Sequence, residues 1–106
     1  IDIQSIIPFD VDNEIVKSLK LTNKLMIVDE DFPGGASSYI LHKILEINKG
    51  YDFLDSKPIT LTAKEHRPPY GSDGDYYSKP SIDDVFETVY KLMQEYNPNK
   101  YKLKLP

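Results

Sequence analysis

Short apolar blocks, separated by charged and turn-forming segments, run along the whole chain. Residues 1–7 alternate apolar and polar positions and then turn fully apolar, a pattern typical of a strand. Residues 24–28 form a short apolar run of the kind found in buried strands. Residues 59–62 form a short and mostly β-branched run, as is typical of a strand. The pattern therefore predicts three strands.

Three other segments carry apolar residues at helical spacing. The first is 13–21, with Asp12 or Asn13 as the cap. The second is 36–48, and Gly50 stands where a helix stop is expected. The third runs from Ser81 to about Tyr96, with Asp84 as the capping-box partner of Ser81. The tail 100–106 alternates and predicts an extended end. Strands that alternate with helices indicate an α/β domain with a mainly parallel sheet.

Length and composition narrow the class of protein. The 106 residues fit one domain, 1–106, and 40% hydrophobic with 28% charged residues is ordinary for a folded globular chain. The chain has no cysteine, which excludes disulfides and thiolate metal sites. The net charge is −4 and Arg67 is the single arginine, so we expect no nucleic acid and no membrane as partner, but rather a basic protein surface.

The motifs for chemistry are incomplete. The turn at 33–36 lies between a strand and a helix, where backbone amides could hold a phosphate, but it lacks a Lys-Ser/Thr pair and follows three acidic residues. A tight turn explains its two glycines. No Ser-His-Asp set and no metal-ligand spacing is present. We predict no catalytic, cofactor-binding or metal-binding residue in this chain.

The long segment 64–80 and the start of the last helix are the candidate partner interface. Clustered tyrosines with an arginine are typical of binding hot spots, and a long irregular loop is often functional. The alternatives are a loop that covers its own domain and acidic residues that serve only the helix dipole. The predicted interface residues are Arg67, Tyr70, Asp73, Asp75, Tyr76, Tyr77, Asp83, Asp84 and Glu87.

Several stretches resemble one protein family. Residues 3–10 are similar to a strand of transketolase-like C-terminal domains that runs into a leucine–proline–aromatic–aspartate turn. Residues 25–37 resemble the next strand and glycine turn in the beta chains of branched-chain 2-oxo acid and pyruvate dehydrogenases. Residues 59–64 and 81–93 resemble the third strand and the closing helix, and 64–75 resembles bacterial proteins in which the alpha and beta chains are fused. The resemblance covers nearly the whole chain.

The resemblance implies a three-layer α/β/α transketolase C-terminal-like domain with a mainly parallel sheet, without the family's first strand-helix unit. The chain would then be a fragment of the decarboxylase component of a 2-oxo acid dehydrogenase, an oxidoreductase that transfers an acyl group to lipoamide, with branched-chain acids as the expected substrates. Thiamine diphosphate and magnesium would bind in the parent enzyme, outside residues 1–106, so the fragment alone would be inactive.

The same resemblance implies that this domain serves subunit assembly and docking in an oligomeric, cytoplasmic multienzyme complex. Its partners would be other decarboxylase domains and subunits and the lipoyl acyltransferase component. Two alternatives stay open at this point. One is a domain of another transketolase-type thiamine enzyme, and the other is a non-enzymatic α/β interaction module.

Overall fold

The computed structural model describes residues 1–64 and 79–102, and every structural statement below concerns these residues. In chain order the elements are α1 (Glu14–Thr22), β1 (Met26–Val28), α2 (Ala36–His42), a π-helical turn (Lys43–Ile47), a 3₁₀ turn (Gly50–Phe53), β2 (Ile59–Leu61) and α3 (Ile82–Tyr96). The three predicted helices and the second and third predicted strands are confirmed. No helix in this part of the chain is long and apolar enough to cross a membrane.

The two strands pair in parallel, as the alternation of elements predicts. Met26, Ile27 and Val28 lie opposite Ile59, Thr60 and Leu61, respectively. Parallel strands need a long crossover, and here α2 and the turns that follow it supply the connection. This pair of strands with helices is compatible with the α/β class.

The prediction of a strand over residues 1–7 is wrong. Residues 1–8 are all exposed, and the described sheet has two strands only. A strand needs hydrogen bonds to a neighbouring strand, and residues 1–7 make none, since β1 and β2 pair only with each other among the described residues. The segment bends at its end instead, where the Ser5 hydroxyl donates to the carbonyl oxygen of Pro8 at 2.8 Å.

Helix α1 is capped by the carboxylate of Asp10, one of the acidic residues that precede the helix. The backbone N–H groups of Glu14 and Ile15 donate to the two carboxylate oxygens of Asp10, at 2.8 and 3.0 Å. Asn13 occupies the predicted N-cap position in the left-handed region (φ 56°) but makes no side-chain cap bond. The position of the cap is therefore confirmed, whereas its hydrogen bonds come from Asp10, because the tight turn at 10–13 brings that carboxylate over the helix start.

The core joins α1, β1 and α2. Its buried residues are Ile15, Leu19, Ile27, Ile40 and Ile44. After α2 the helix widens into the π-helical turn, where Asn48 N donates to Lys43 O at 2.8 Å. Gly50 follows and packs directly on this widened turn and on α1. Gly50 therefore allows α1 and the widened turn to approach each other closely, in addition to forming the helix stop that the sequence predicts.

The described part of the predicted extended tail is not extended. Residues 98–100 form a turn after α3, and Tyr101 N donates to Asn97 O at 3.0 Å. The ring of Tyr101 meets the ring of Tyr90 edge-on, with centroids 6.1 Å apart. This contact holds Tyr101 against α3, and residues 103–106 lie outside the described part.

Candidate functional site

The structure describes three of the nine predicted interface residues. Asp83, Asp84 and Glu87 lie on the first two turns of α3, and all three are exposed. The other six predicted residues lie outside the described part of the chain; they are Arg67, Tyr70, Asp73, Asp75, Tyr76 and Tyr77. Their grouping with α3 therefore stays a prediction.

The start of α3 is built by the predicted capping box, which is confirmed. Ser81 N donates to Asp84 Oδ2 at 2.9 Å, and Asp84 N donates to Ser81 Oγ at 3.1 Å. The hydrogen bonds from the backbone and side chain of Ser81 hold the pKa of Asp84 below its ordinary value, and the nearby charge of Lys64 contributes. Asp84 thus has a structural role, which leaves Asp83 and Glu87 as the acids that a partner could meet.

Apolar side chains accompany the acids on α3. Ile82 is 88% exposed, Phe86 50% and Val89 40%. They follow one another at intervals of four and three residues, so they share one side of the helix. The ring of Phe86 also stacks on that of Tyr90, with centroids 5.9 Å apart. An acidic first turn beside an apolar stripe has the composition of a protein-binding surface.

The start of α3 lies near the carboxyl ends of both strands. Lys79 Nζ is 3.7 Å from Glu30 Oε2, just after β1, and Lys64, just after β2, is close enough to affect the pKa of Asp84. The acidic loop 29–31 and the acidic helix start therefore lie at the same end of the sheet, where the strands reach their carboxyl ends. In open α/β sheets, binding sites usually form at this end.

The glycine turn after β1 does not suit a diphosphate. Asp31 N donates to Asp29 Oδ1 at 3.1 Å, and Phe32 N donates to Asp31 Oδ1 at 2.7 Å. Gly35 N points to Phe32 O at 3.4 Å. The amides of Asp31, Phe32 and Gly35 are thus used within this loop, two of them by carboxylates. The described residues also contain no group of three or more His, Asp or Glu side chains placed to hold a metal ion. They do not fit thiamine diphosphate with magnesium.

Lys24 is an organising residue that the sequence pattern missed. Its ammonium lies 2.8 Å from Asp55 Oδ2 and 4.1 Å from the ring centroid of Tyr96. It therefore ties the start of β1 to the segment before β2 and to the end of α3. No local signal could reveal this, because the two partners are distant in sequence.

Comparison with known proteins places the chain among one group of relatives. It is 30% identical over 93 residues to the pyruvate dehydrogenase E1 component subunit beta of Mesostigma viride, which covers 88% of this chain and 28% of that protein. It is 32% identical over 93 residues to the subunit of the same name from Rickettsia felis, covering 87% of this chain and 28% of that protein. The mitochondrial subunit of Saccharomyces cerevisiae is 27% identical over 94 residues.

The chain spans only about a quarter of the length of these curated relatives. No protein-family profile matches it, and no solved structure matches it. The match nevertheless covers nearly all of residues 1–106 and recurs in relatives from algae, bacteria and fungi. The chain is thus homologous to part of the beta subunit of pyruvate dehydrogenase E1, which supports a domain of the 2-oxo acid dehydrogenase beta-subunit type.

Proposed function

We propose that this chain is a domain of the decarboxylase component of a 2-oxo acid dehydrogenase complex. The observation that carries the proposal is the 30–32% identity to E1 beta subunits over 93 residues. The enzyme would oxidatively decarboxylate a 2-oxo acid on thiamine diphosphate and transfer the acyl group to a lipoyl acyltransferase component. Cytoplasmic location and a three-layer transketolase C-terminal-like domain, of which residues 1–106 lack the first strand-helix unit, are parts of this proposal.

Within that enzyme the chain would serve assembly and docking. Two observations support a role in assembly and docking instead of cofactor binding. The loop before the glycine turn is acidic, and its carboxylates accept hydrogen bonds from the amides of Asp31 and Phe32, which disfavours a diphosphate there. The surface around the start of α3, in contrast, presents acids beside exposed apolar side chains. Thiamine diphosphate and magnesium would therefore bind in other parts of the enzyme.

The substrate is the least constrained part of the proposal. The sequence resemblance favours a branched-chain 2-oxo acid, whereas the names of the relatives favour pyruvate. The resemblance of residues 64–75 to fused proteins adds that the alpha and beta parts would form one polypeptide. The substrate is identified by the 2-oxo acid that the enzyme turns over. The fusion is identified by the mass of the polypeptide that contains this chain.

The test is to tag the chain in the cells that produce it and purify its complex under native conditions. The preparation is then assayed with thiamine diphosphate and magnesium for decarboxylation of pyruvate and of 2-oxoisovalerate, the latter as the branched-chain case. We expect one of the two acids to be turned over and an acyltransferase to co-purify. Transfer of sugar ketol groups without 2-oxo acid activity would indicate the transketolase-type alternative. No activity of either kind would indicate an interaction module.

The docking role needs a variant that leaves the helix start intact. Asp84 is unsuitable because it forms the capping box with Ser81. Glu87 is exposed and lies one turn after Asp83, so Glu87→Lys reverses a charge in the acidic patch. Glu95→Lys makes the same change eight residues further along the same helix and is the matched control.

We expect Glu87→Lys to slow association with a basic acyltransferase several-fold at low salt and to have little effect at high salt, because exposed charges act mainly on encounter and are screened. Glu95→Lys should have the smaller effect at both salt concentrations. The readout is the rate at which the native decarboxylase component associates with the acyltransferase, measured by surface plasmon resonance. Equal rates for the two variants would mean that the acidic start of α3 does not dock the acyltransferase.

A further inference from the structure

The chain turns back along α3 after the helix ends. It leaves the helix at Asn97, seven residues after Tyr90, yet the Tyr90 hydroxyl donates to the carbonyl oxygen of Lys102. The turn between them is closed by Tyr101 N, which donates to Asn97 O at 3.0 Å. Because a helical side chain leans toward the start of its helix, the chain has reversed its direction relative to α3 by Lys102.

The surface of α3 around Tyr90 has two chemically different sides. Phe86 lies one turn before Tyr90, and the two rings stack with their centroids 5.9 Å apart. Asp83 and Glu87 lie seven and three residues before Tyr90, so they border the same line along the helix from its other side. Phe86 is 50% exposed, and both acids are exposed. The Tyr90 surface, formed by these four residues, thus has an apolar border and an acidic border.

Residues 103–106 lie outside the described part, but their sequence matches both borders. Leu103 and Leu105 alternate with Lys104, and the segment contains no acidic residue. Successive side chains of an extended chain point to opposite sides, so the two leucines can face the apolar border while Lys104 faces the acidic one. Four extended residues span about 13 Å, and the helix from Tyr90 back to its first turn spans about 10 Å. The segment is therefore long enough to follow the whole surface.

We propose that residues 103–106 bind along the Tyr90 surface of their own chain. Charge favours this occupant over the segment 65–78, which carries three acidic residues and one arginine. Charge also disfavours a second copy of α3, because a symmetric contact would bring the same acids together. Residue 103 follows directly on the bond to Tyr90, which gives the segment a high effective concentration at this surface. Residues 1–8 have no described hydrogen bond to α3, so a segment that precedes them lacks this anchor.

The test places a nitroxide at Pro106→Cys, which supplies the single cysteine of a chain that has none of its own. Paramagnetic broadening of the backbone amide signals then shows which residues the label approaches. We expect the signals of residues 83–87 to be lost in the labelled chain and to return with Lys104→Glu, because like charges then face each other. Adding Glu87→Lys to Lys104→Glu should cause the loss again. Adding Glu95→Lys instead, eight residues further along the helix, should not.

Four results would overturn the proposal. The signals of residues 83–87 could persist in the labelled chain, or their loss could be unaffected by Lys104→Glu. A loss that depends on protein concentration would indicate a second copy, and a loss at residues 26–29 instead would place the segment against β1. Circular dichroism checks that each variant is folded.

The contact also bears on docking, and this consequence rests on the proposed function. A basic acyltransferase that binds Asp83 and Glu87 would have to displace residues 103–106 first. Leu103→Ser combined with Leu105→Ser weakens the contact without changing the charge, and it should speed association of the native decarboxylase component with the acyltransferase several-fold. An unchanged rate, with the loss of amide signals intact, would refute the proposed partner and leave the contact within the chain established.

Discussion

Gly50 offers the most direct test of how this fold is packed. A Cβ atom added there would lie 2.8 Å from the carbonyl oxygen of Ile44, 3.1 Å from Leu19 Cδ2 and 3.2 Å from Ile44 Cγ2. Ile44 is 1% exposed and Leu19 2%, so neither side chain has room to move away. The closest atom belongs to the backbone and cannot rotate out of contact. Gly50→Ala therefore forces the 3₁₀ turn and the π-helical turn apart.

The expected cost follows from two opposing effects. Overpacking of a filled core costs about 1–3 kcal/mol. Replacing glycine by alanine also restricts the unfolded chain, which returns about 0.4–1 kcal/mol where the backbone conformation suits alanine. Gly50 does not have a positive φ, so that gain applies. We expect a net loss of about 1–2 kcal/mol in the free energy of unfolding, with a fall in Tm of about 4–8 °C for each kcal/mol.

Urea unfolding followed by circular dichroism measures this loss, with the dependence on urea concentration checked for a two-state transition. Gly34 supplies the control, because it has a φ of 91° and no atom within 4 Å of an added Cβ. Gly34→Ala should cost stability only through the backbone, and Gly34→Ser should cost about the same. At Gly50 the step from Ala to Ser should add a further loss, because the site is full.

The size dependence is the decisive comparison. If Gly50→Ala is as stable as the parent chain, or if Ala and Ser are equivalent at Gly50, the close approach of the two turns does not restrict this position. The 3₁₀ turn and the π-helical turn would then leave room for a side chain between them.

Three further substitutions test local interactions that stabilise the fold. Asp10→Ala removes the carboxylate that caps α1 and should lower the free energy of unfolding by about 0.5–2 kcal/mol in urea titrations, whereas an unchanged value would mean that the cap is dispensable. Asn23 has a φ of 62° and its Nδ2 donates to Phe53 O at 2.8 Å. Asn23→Gly removes the hydrogen bond and should lower the free energy of unfolding by about 0.5–1.5 kcal/mol, whereas Asn23→Ala should lower it further because alanine disfavours the left-handed backbone. Equal losses for the two variants would contradict this role of the backbone. The hydrogen bond from Lys24 holds the pKa of Asp55 below its ordinary value of 3.8, so this carboxylate stabilises the fold above that pH and the contribution disappears as the pH falls through the lowered pKa. Asp55→Asn should therefore be less stable than the parent chain at about pH 7, and the difference should shrink as the pH falls below 3.8, whereas a difference of unchanged size in acid would refute the assignment.

Local sequence signals determined most of the helices. The capping box of Ser81 and Asp84 predicted the start of α3, and the structure contains both of its hydrogen bonds. The apolar spacing of residues 36–48 predicted the second helix, which runs from Ala36 through the π-helical turn to Ile47. These features depend on residues within one or two turns of each other, so the sequence alone carries them.

Strand pairing and long-range contacts were decided by the tertiary structure. Residues 1–7 have the alternation of a strand, but a strand exists only where it exchanges backbone hydrogen bonds with a neighbour, and these residues pair with neither β1 nor β2. For the same reason the sequence does not show which side of β1 faces β2, since that depends on the register of the two strands.

The sequence by itself determined the α/β class, the helix positions, the parallel direction of the two strands and the resemblance to 2-oxo acid dehydrogenase beta chains. Only the tertiary structure decided which acidic residue before α1 makes the capping bonds, that Lys24 joins Asp55 and Tyr96, and that Asp29 lines a groove. Propensity and spacing act between near neighbours along the chain. A salt bridge across 31 residues, or a buried oxygen without a donor, depends instead on how distant segments come together in space.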